Sequence, residues 1–399
     1  MRLILLKIVQ NAESAHHKMQ NKKLKVFIIA GEVSGDVLGG KIMREMPNAE
    51  FVGIGGENMI AAGLDSLFPM RDLAVMGAVE VLAHARTLTQ RIGQTVNAII
   101  SEQPDVVLTI DSPGFAQSVI SKLRQSKSGQ NLIAKGMRFH HVVAPQVWAW
   151  RPGRAKKYAK IFDKLYAFFD FELPYFTKYG LDTMAVGHPI SDGLIGTKHI
   201  NTKEKIITLV PGSRMSEVKR LMPLYREFVE MLNRLGHHDY RYVIPTVETT
   251  DEYVRGELCK WPVAVDIVNA TGRYDLYAKT YIAVVASGTV SAELAMMHIP
   301  AIVVYRMNPL TVWLARQVIR VRWVSLVNIL LNRGVYPELL GSNANRKKLV
   351  GEFIKLTNPS NRKKMVAELT LADNMWCRDD TSPARIIAND LQNIKKQGK

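Results

Sequence analysis

The apolar positions of this chain come in short, nearly continuous runs rich in β-branched residues, and each run is followed by a longer segment of helical character. Runs of this kind are typical of strands buried on both faces of a parallel sheet, with helices packed over them. The sequence therefore predicts an α/β fold with parallel sheets. The predicted strands lie at 25–30, 51–54, 106–111, 139–143, 165–169, 183–186, 206–210, 242–244, 263–268, 281–286 and 301–305.

The alternation of strands and helices starts again after Gly187-His188-Pro189, across a polar stretch at 191–205. A chain of 399 residues is also longer than one ordinary domain. We therefore predict two Rossmann-like domains with a cleft between them and with ligands at the carboxyl ends of the strands. The predicted ranges are an extension outside the fold at 1–22, an N-terminal domain at 23–190, a C-terminal domain at 191–365, and a helical tail at 366–399 that could pack back on the N-terminal domain.

Composition and charge narrow the class of protein. Apolar residues make up 47% of the chain, which argues against disorder, and two distant cysteines indicate neither a disulfide framework nor a zinc site. No apolar run approaches the ~20 residues that span a bilayer, and the first residues lack the pattern of a signal peptide. The net charge of +17 indicates nucleic acid, an anionic membrane or phosphorylated substrates as partners, unless it lies on solvated helix faces.

Acidic side chains follow two of the predicted strands in the first half. Glu32 and Asp36 lie in the loop after the first strand, where they would repel a phosphate and suit the hydroxyls of an acceptor sugar. The alternative is a tight turn in which Ser34 or Asp36 caps the next helix. Asp111 follows the third strand, where partial desolvation would raise its pKa towards that of a useful base, although it could instead cap a helix.

The apolar run at 281–286 ends at Ser287-Gly288-Thr289, and a helical segment follows at once. A helix N-terminus offers unpaired N–H groups and a partial positive charge, which suit a phosphate. Gly288 lets a ligand approach the backbone, and the two hydroxyls add donors. Glu293 lies about one turn beyond Thr289, where its carboxylate could accept hydrogen bonds from a ribose. This stretch predicts a site for a nucleotide diphosphate.

A second anion-binding loop is predicted after the strand at 206–210, where Pro211-Gly212-Ser213-Arg214 precedes a helical segment. Arg214 could bind a phosphate through two N–H groups and stabilise a leaving diphosphate without a metal, or it could be an exposed residue of the first helical turn. His188 at the predicted domain junction could act as an acid, a base or a phosphate donor, or could simply hold a turn.

Two segments combine aromatic residues with cations. Trp148 and Trp150 precede four cations at 151–157, and the segment 305–333 mixes aromatic and aliphatic residues with arginines. The first could be a nucleic-acid stacking patch, a membrane anchor or a buried aromatic pair beside a basic helix. The second could be a helix on an anionic membrane or ordinary core packing. The apolar stretch at 67–82 could likewise receive an acyl chain or belong to the core.

Taken together, these motifs resemble the lipid-A-disaccharide synthase family. The resemblance runs from about residue 24 to residue 385, in order and at family spacing. The strings that carry it are Ala30-Gly-Glu-Val-Ser-Gly-Asp36, Phe51-Val-Gly-Ile-Gly-Gly56, Leu73-Ala-Val-Met-Gly77, Asp111-Ser-Pro-Gly-Phe115, Pro145-Gln-Val-Trp-Ala-Trp150, Val186-Gly-His-Pro189, Pro211-Gly-Ser-Arg214, Ala286-Ser-Gly-Thr289 with Glu293, Tyr305-Arg-Met307, Val324-Ser-Leu326 with Asn328, and Pro337-Glu-Leu-Leu340.

The resemblance implies a GT-B glycosyltransferase, with two Rossmann-like domains facing a central cleft. It implies that UDP-2,3-diacylglucosamine is joined to 2,3-diacylglucosamine 1-phosphate (lipid X) with inversion, giving the β-1,6-linked disaccharide 1-phosphate and UDP. Neither a cofactor nor a metal is implied. The expected location is the cytoplasmic face of the inner membrane of a Gram-negative bacterium, with the protein bound peripherally to an anionic surface. A homodimer is left open.

The resemblance also assigns roles to residues of this sequence. Asp111 is the implied general base for the acceptor 6-hydroxyl, Glu32 is the alternative base, and His188 binds a phosphate or assists the base. Arg214 stabilises the charge on the leaving UDP. The family commonly carries a second acid in the aspartate motif, and Gly114 stands in its place here, which leaves Asp111 as the acid of that motif. The implied donor-site residues are Gly212, Ser213, Arg214, Ser287, Gly288, Thr289, Glu293 and Asn328.

Two rival interpretations remain at this point. Another GT-B protein, such as a UDP-N-acetylglucosamine 2-epimerase or the peptidoglycan glycosyltransferase, would share the fold but carry different loops after the first strand. A basic nucleic-acid-binding protein would bind DNA or RNA with an affinity that falls steeply with salt. Because both expected substrates are anionic and acylated, we favour an anionic membrane over nucleic acid as the partner of the basic surface.

Overall fold

The computed structural model of the chain describes residues 23–73, 78–194, 204–306, 322–378 and 381–397. The predicted extension at 1–22, residues 74–77 of the apolar stretch at 67–82, and residues 307–321 of the basic-aromatic segment lie outside the described residues. The described residues divide into two compact units. The first unit runs to Pro145 and adds Gly153–Val186 and the chain from Thr381, and the second unit holds Gln146–Pro152 and the chain from Gly187 to 378.

The first unit is built on a six-stranded parallel sheet in the order β2-β1-β3-β4-β5-β6. Its strands are β1 (Lys25–Ala30), β2 (Glu50–Ile54), β3 (Val106–Ile110), β4 (Arg138–Val142), β5 (Lys164–Ala167) and β6 (Asp182–Ala185). Its helices before the domain junction are α1 (Val33–Glu45), α2 (Glu57–Ile60), α3 (Ala78–Glu102), α4 (Pro113–Gln125), α5 (Lys127–Ala134), α6 (Arg154–Ile161) and α7 (Leu173–Thr177).

The second unit is built on another six-stranded parallel sheet, in the order β12-β11-β10-β7-β8-β9. Its strands are β7 (Lys205–Val210), β8 (Tyr240–Thr246), β9 (Val265–Asn269), β10 (Thr280–Ala286), β11 (Ala301–Tyr305) and β12 (Glu338–Leu340). Its helices are α8 (Met215–Arg234), α9 (Glu248–Leu258), α10 (Arg273–Ala278), α11 (Thr289–Met296), α12 (Leu326–Leu331), α13 (Arg346–Thr357), α14 (Pro359–Thr370) and α15 (Asp373–Trp376).

The central strands are apolar along almost their whole length, which is why both faces of each sheet can be covered by helices. All five residues of β3 are buried, and so are the last five residues of β1 and of β7. The long helix α8 turns one apolar face inwards, with Leu221, Tyr225 and Phe228 fully buried or nearly so. The predicted α/β class with parallel sheets is thereby confirmed.

The last helix, α16 (Pro383–Gln397), belongs to the first unit, where it packs on α1. Its Ile387 and Leu391 are buried in the core beside β1 and β3. Asp390 of this helix accepts hydrogen bonds from Lys164 Nζ at 2.8 Å and Tyr166 Oη at 2.7 Å, both on β5. The chain therefore returns at its end to complete the first core.

Each sheet has one topological switch point, where two neighbouring strands are followed by connections that lead to opposite edges of the sheet. In the first sheet the switch point lies between β1 and β3, and in the second between β7 and β10. In open parallel sheets such a point leaves a crevice at the carboxyl ends of the strands, where ligands bind. The loops after these four strands hold Glu32, Asp111, Gly212, Ser213, Arg214, Ser287 and Gly288, which the sequence singled out.

Candidate functional site

The acids of the first unit meet at its switch point. Glu32 directly precedes α1, at the end of β1, and Asp111 directly follows β3. The two loops touch, because a Cβ added at Gly31 would stand 1.9 Å from the Ser112 hydroxyl oxygen. Only glycine allows so close an approach.

The backbone around Asp111 has an uncommon conformation. Asp111 has a φ of 55° and Ser112 a φ of 45°, so two successive residues with side chains occupy the left-handed region. Such a conformation costs about 1 kcal/mol or more for each residue and is found preferentially at functional sites. It is held in part by the Ser112 N–H, which donates to Asp111 Oδ1 at 2.9 Å.

Both acids have pKa values above the ordinary range. Burial raises the pKa of Asp111, and the hydrogen bond from the Ser112 backbone only partly opposes this effect. Burial also raises the pKa of Glu32, and the negative charge of Asp111 raises it further. A carboxylate with a raised pKa is a stronger base, so either side chain can accept a proton from a hydroxyl group.

Asp36 does not belong with these two acids, contrary to the first interpretation of the loop. Its side chain is only 2% exposed and accepts hydrogen bonds from the N–H groups of Gly56, Asn58 and Met59 and from the Asn58 amide, at 2.7 to 3.1 Å. Burial by itself would raise the pKa of Asp36, but these hydrogen bonds outweigh it and the pKa is lowered. Asp36 therefore links α1 to the N-terminus of α2. Each of its carboxylate oxygens already accepts two hydrogen bonds within the protein, so neither is available to a sugar hydroxyl.

His188 forms part of a turn. Its Nδ1 accepts a hydrogen bond from the Ile190 N–H at 3.2 Å, which caps the short 3-10 helix Pro189–Gly193. Burial lowers the pKa of His188 to about 4, so the ring is neutral near pH 7. A neutral ring with Nδ1 as acceptor carries its proton on Nε2, and it can donate a hydrogen bond but brings no positive charge.

The second unit has a pocket of about 330 Å³ at its switch point. It is lined by the loops after β7, β8, β9 and β10, and the long helix α8 and the helix α11 both begin at its wall. Two helix N-termini direct unpaired N–H groups and partial positive charge into the same space. The pocket therefore suits an anionic ligand.

Most of the predicted donor-site residues line this pocket. They are Gly212, Ser213, Arg214, Ser287, Gly288, Thr289 and Glu293. Ser213, Gly288 and Thr289 are exposed, and the space where a Cβ of Gly288 would stand is open. A ligand can therefore reach the backbone at this point.

The loop after β7 is shaped by a glutamate that the sequence did not mark as functional. Gly212 has a φ of 103°, and a Cβ there would lie 2.6 Å from Glu217 Oε2. Glu217 also forms an ion pair with Arg214, with 3.3 Å between Nη1 and Oε1. The Arg214 side chain is 70% exposed, so this ion pair is weak and a bound anion can compete for the guanidinium group.

Glu293 lies on the inner side of α11 with its side chain 7% exposed. Its Oε1 accepts hydrogen bonds from Tyr274 Oη at 2.9 Å and from Arg273 Nη2 at 3.4 Å. Its Oε2 is buried and has no hydrogen-bond partner among the described residues. A buried carboxylate oxygen without a partner is costly, and a donor from a bound ligand would remove that cost.

Asn328 is not at the pocket. It is fully buried, its Nδ2 donates to Tyr336 O and Glu338 Oε1, and its Oδ1 accepts from the N–H groups of Val335 and Tyr336, at 2.8 to 2.9 Å. Every polar atom of its side chain is thus used inside the protein. The structure gives Asn328 the role of joining α12 to the segment before β12, and we leave it out of the donor site.

The aromatic segments have mixed surroundings. Trp148 and Trp150 are both partly buried, and the Arg151 guanidinium lies 4.9 Å from the centre of the Trp150 ring. In the stretch at 67–82, Phe68 is buried while Leu67 is 45% exposed. Of the helices that the structure describes, none has the combination of length and apolar character that crossing a bilayer requires. Those same residues contain no cluster of three or more side chains suited to a metal ion.

Two parallel Rossmann-type sheets, the second with a pocket at its switch point, define the fold class of the GT-B glycosyltransferases. A putative UDP-N-acetylglucosamine 2-epimerase from Listeria monocytogenes matches with a TM-score of 0.60 at 14% identity, over 94% of this chain and 97% of its own. MurG from Acinetobacter baumannii matches with a TM-score of 0.58 at 13% identity, over 93% and 99%. Likeness at such low identity establishes the fold alone.

Sequence relatives identify the family. The profile of the lipid-A-disaccharide synthetases matches residues 26–381. The lipid-A-disaccharide synthase of Rhodospirillum centenum is 40% identical over 389 residues, which cover 94% of this chain and 95% of that protein. The enzyme of the same name from Gluconobacter oxydans is 40% identical over 347 residues, 83% of this chain and 81% of its own. The chain belongs to the lipid-A-disaccharide synthase family and is a glycosyltransferase of lipid A biosynthesis, as its motifs predicted.

Proposed function

We propose that this enzyme transfers the 2,3-diacylglucosaminyl group of UDP-2,3-diacylglucosamine to the 6-hydroxyl of 2,3-diacylglucosamine 1-phosphate. The observation that carries the proposal is the pocket of the second unit, where two helix N-termini, an exposed arginine and a buried carboxylate oxygen without a partner surround one space. A nucleoside diphosphate matches this set, because phosphates suit the helix N-termini and Arg214 while ribose hydroxyls suit the carboxylate.

In the proposed mechanism the second domain binds the donor. Ser287, Gly288 and Thr289 hold the diphosphate at the start of α11, and Gly212, Ser213 and Arg214 approach it from the loop after β7. The partial positive charge of the helix N-termini and the charge of Arg214 stabilise the leaving UDP as the bond to the sugar breaks. We propose that this stabilisation operates without a metal ion.

The first domain supplies the base. Asp111 takes the proton of the acceptor 6-hydroxyl, the oxygen attacks C1 of the donor sugar, and the C1–O bond to UDP breaks in the same step. Attack opposite the leaving group turns the α-linked donor into a β-1,6-linked product. Glu32 is the alternative base because its pKa is also raised. His188, neutral near pH 7, assists the base or binds a phosphate without bringing a charge.

The excess of positive charge fits acylated, phosphorylated substrates that reside in a membrane. We propose that the enzyme binds peripherally to the anionic cytoplasmic face of the inner membrane, where electrostatic attraction and exposed apolar side chains act together. Binding of this kind weakens as salt increases.

The test is product analysis with the intact chain, the UDP-linked donor and the monosaccharide 1-phosphate acceptor in mixed micelles. We expect a disaccharide 1-phosphate and one UDP per disaccharide, with UDP release only when both substrates are present. An Asp111→Asn variant should lose at least about a hundredfold in kcat, whereas the same change at the exposed Asp65 should leave kcat unaltered. Absence of the disaccharide would contradict the proposed reaction, and an active Asp111→Asn variant would contradict only the choice of base.

A further inference from the structure

Glu293 does not stand alone in the pocket wall. Arg273 and Tyr274, at the start of α10, lie against it, and Arg273 also lines the pocket. Arg273 donates from Nη1 to the Ala270 carbonyl at 2.9 Å and from Nη2 to Tyr274 Oη at 2.9 Å. Its guanidinium group lies 4.3 Å from the centre of the Tyr274 ring. Arg273 is therefore held by the Ala270 carbonyl, by the Tyr274 hydroxyl and by the face of the Tyr274 ring.

These contacts determine the direction of the Tyr274 hydroxyl. Because its oxygen accepts a hydrogen bond from Arg273, its single hydrogen is directed to Glu293 Oε1, at 2.9 Å between the oxygens. Hydrogen bonds arranged in such a chain polarise and strengthen one another. Oε1 is thus fully engaged, and the orientation of the carboxylate is fixed.

Because Oε1 is held by these hydrogen bonds, the position of Oε2 is also fixed. Oε2 is buried and has no hydrogen-bond partner among the described residues. Glu293 lies about one helical turn beyond Thr289, the first residue of α11. If the diphosphate binds at the N-terminus of that helix, the next group of a nucleotide along the wall is its ribose. A ribose hydroxyl is a donor of the kind that Oε2 lacks.

Resting on the proposed nucleotide site, we infer that Arg273 and Tyr274 are positioning residues that hold Glu293 so that Oε2 accepts a hydrogen bond from a ribose hydroxyl. This arrangement makes the pocket selective for ribonucleotides. A deoxyribonucleotide would leave the buried oxygen unpaired, and a site built around a hydroxyl rejects the analogue that lacks it. Neither residue needs to touch the ligand for this effect.

The experiment measures the dissociation constants of UDP, 2′-deoxy-UDP and 3′-deoxy-UDP by calorimetry with the intact chain. The wild type should bind UDP at least about tenfold more tightly than one of the two deoxy forms. In Tyr274→Phe this ratio should fall to within about threefold of unity, because the carboxylate keeps only its long 3.4 Å contact with Arg273 and is no longer fixed. Binding of that deoxy form should change little, since its diphosphate contacts remain.

The chain offers a matched control in Tyr281. Its hydroxyl accepts a hydrogen bond from Arg362 Nη1 at 2.6 Å, and the Arg362 guanidinium lies 4.4 Å from the centre of its ring, yet Tyr281 is not among the pocket residues. Tyr281→Phe therefore removes the same kind of contact elsewhere and should keep the wild-type ratio. Thermal melting of both variants checks that each is folded.

The outcomes separate this inference from the proposed function. A folded Tyr274→Phe variant with the wild-type ratio, or an equal loss in Tyr281→Phe, would overturn the positioning role. A wild type that binds all three nucleotides equally would also overturn it, while leaving the nucleotide site intact. A wild type that binds none of them would contradict the nucleotide site itself and the inference with it.

Discussion

The two acids that follow β1, Glu32 before α1 and Asp36 in its first turn, should affect different properties when they are substituted. They are four residues apart, yet Glu32 is half-buried with a raised pKa and Asp36 is buried with a lowered one. We expect Glu32→Gln to reduce turnover by about tenfold or more, as loss of a charged hydrogen bond does, without loss of stability, because the raised pKa means that the ionised carboxylate does not stabilise the fold. Asp36→Asn should instead reduce the free energy of unfolding.

The size of the Asp36 effect follows from its contacts. Oδ1 accepts from the N–H groups of Gly56 and Met59, and Oδ2 accepts from the N–H and the side-chain amide of Asn58. An asparagine must place an NH₂ group at one of these two positions, where it would face two donors. At least one buried backbone N–H then loses its partner, so we expect a loss of about 2–4 kcal/mol.

The same contacts predict how the loss depends on pH. The pKa of Asp36 is lower in the folded protein than in the unfolded chain, so its stabilisation is fully present above the ordinary carboxyl pKa of about 4. It is lost as the pH falls through the folded value. The stability difference between the wild type and Asp36→Asn should therefore be constant at neutral pH and shrink below about pH 4.

Denaturant unfolding followed by circular dichroism measures the stability effect, and if the two units unfold separately the effect is read from the transition that Asp36→Asn shifts. Asp65→Asn at an exposed position is the control for the chemical change, and it should stay within about 0.5 kcal/mol of wild type. An Asp36→Asn variant as stable as the control would refute this assignment. A Glu32→Gln variant that loses stability and keeps its turnover would refute the prediction for Glu32.

Three further variants test other parts of the structure. Gly31→Ala should reduce both kcat and melting temperature, because its Cβ would collide with Ser112, and the double variant Gly31→Ala/Ser112→Gly should recover part of the loss. Arg214→Ala should lower kcat/KM for the donor about tenfold to a hundredfold with an unchanged melting temperature, since the side chain is 70% exposed and its ion pair with Glu217 is weak. Asp390→Ala should cost about 2 kcal/mol and make the C-terminal helix sensitive to proteolysis, because Lys164 and Tyr166 lose their bonds to that helix and keep only Asp182 and His140 as partners among the described residues.

The fold was predictable because its signal is local. Continuous β-branched runs such as 106–110 are typical of strands that are covered on both faces, and the order of strands and helices then limits the topology to a few choices. β12 was missed because Glu338–Leu340 is only three residues long and begins with a charged residue. What identifies it as a strand is its pairing with β11, which no local pattern records.

The site was predictable only in part. The position of a site residue follows from the strand topology, whereas its role depends on its contacts in the folded protein. Loops that directly follow central strands are brought to the switch points by topology, so Glu32, Asp111 and Arg214 could be located from sequence. The role of a carboxylate depends on what faces it, and the residues facing Asp36 lie on the other side of β2 in sequence. Arg273 and Tyr274 were missed because no glycine-rich or acidic motif marks them.

The pairing of acids with arginines separates the two kinds of carboxylate in this protein. In the second unit each pocket acid has an arginine partner, Glu217 with Arg214 and Glu293 with Arg273. Within each pair the opposite charges partly offset each other, so the helix N-termini at the pocket add a positive potential that favours an anion. In the first unit neither Glu32 nor Asp111 forms an ion pair with a cation among the described residues, and burial raises both pKa values. Carboxylates held by arginine are fixed in position and suit binding, whereas the two partly buried ones without an ion pair have raised pKa values and can exchange a proton. This is why we assign binding to the second unit and proton transfer to the first.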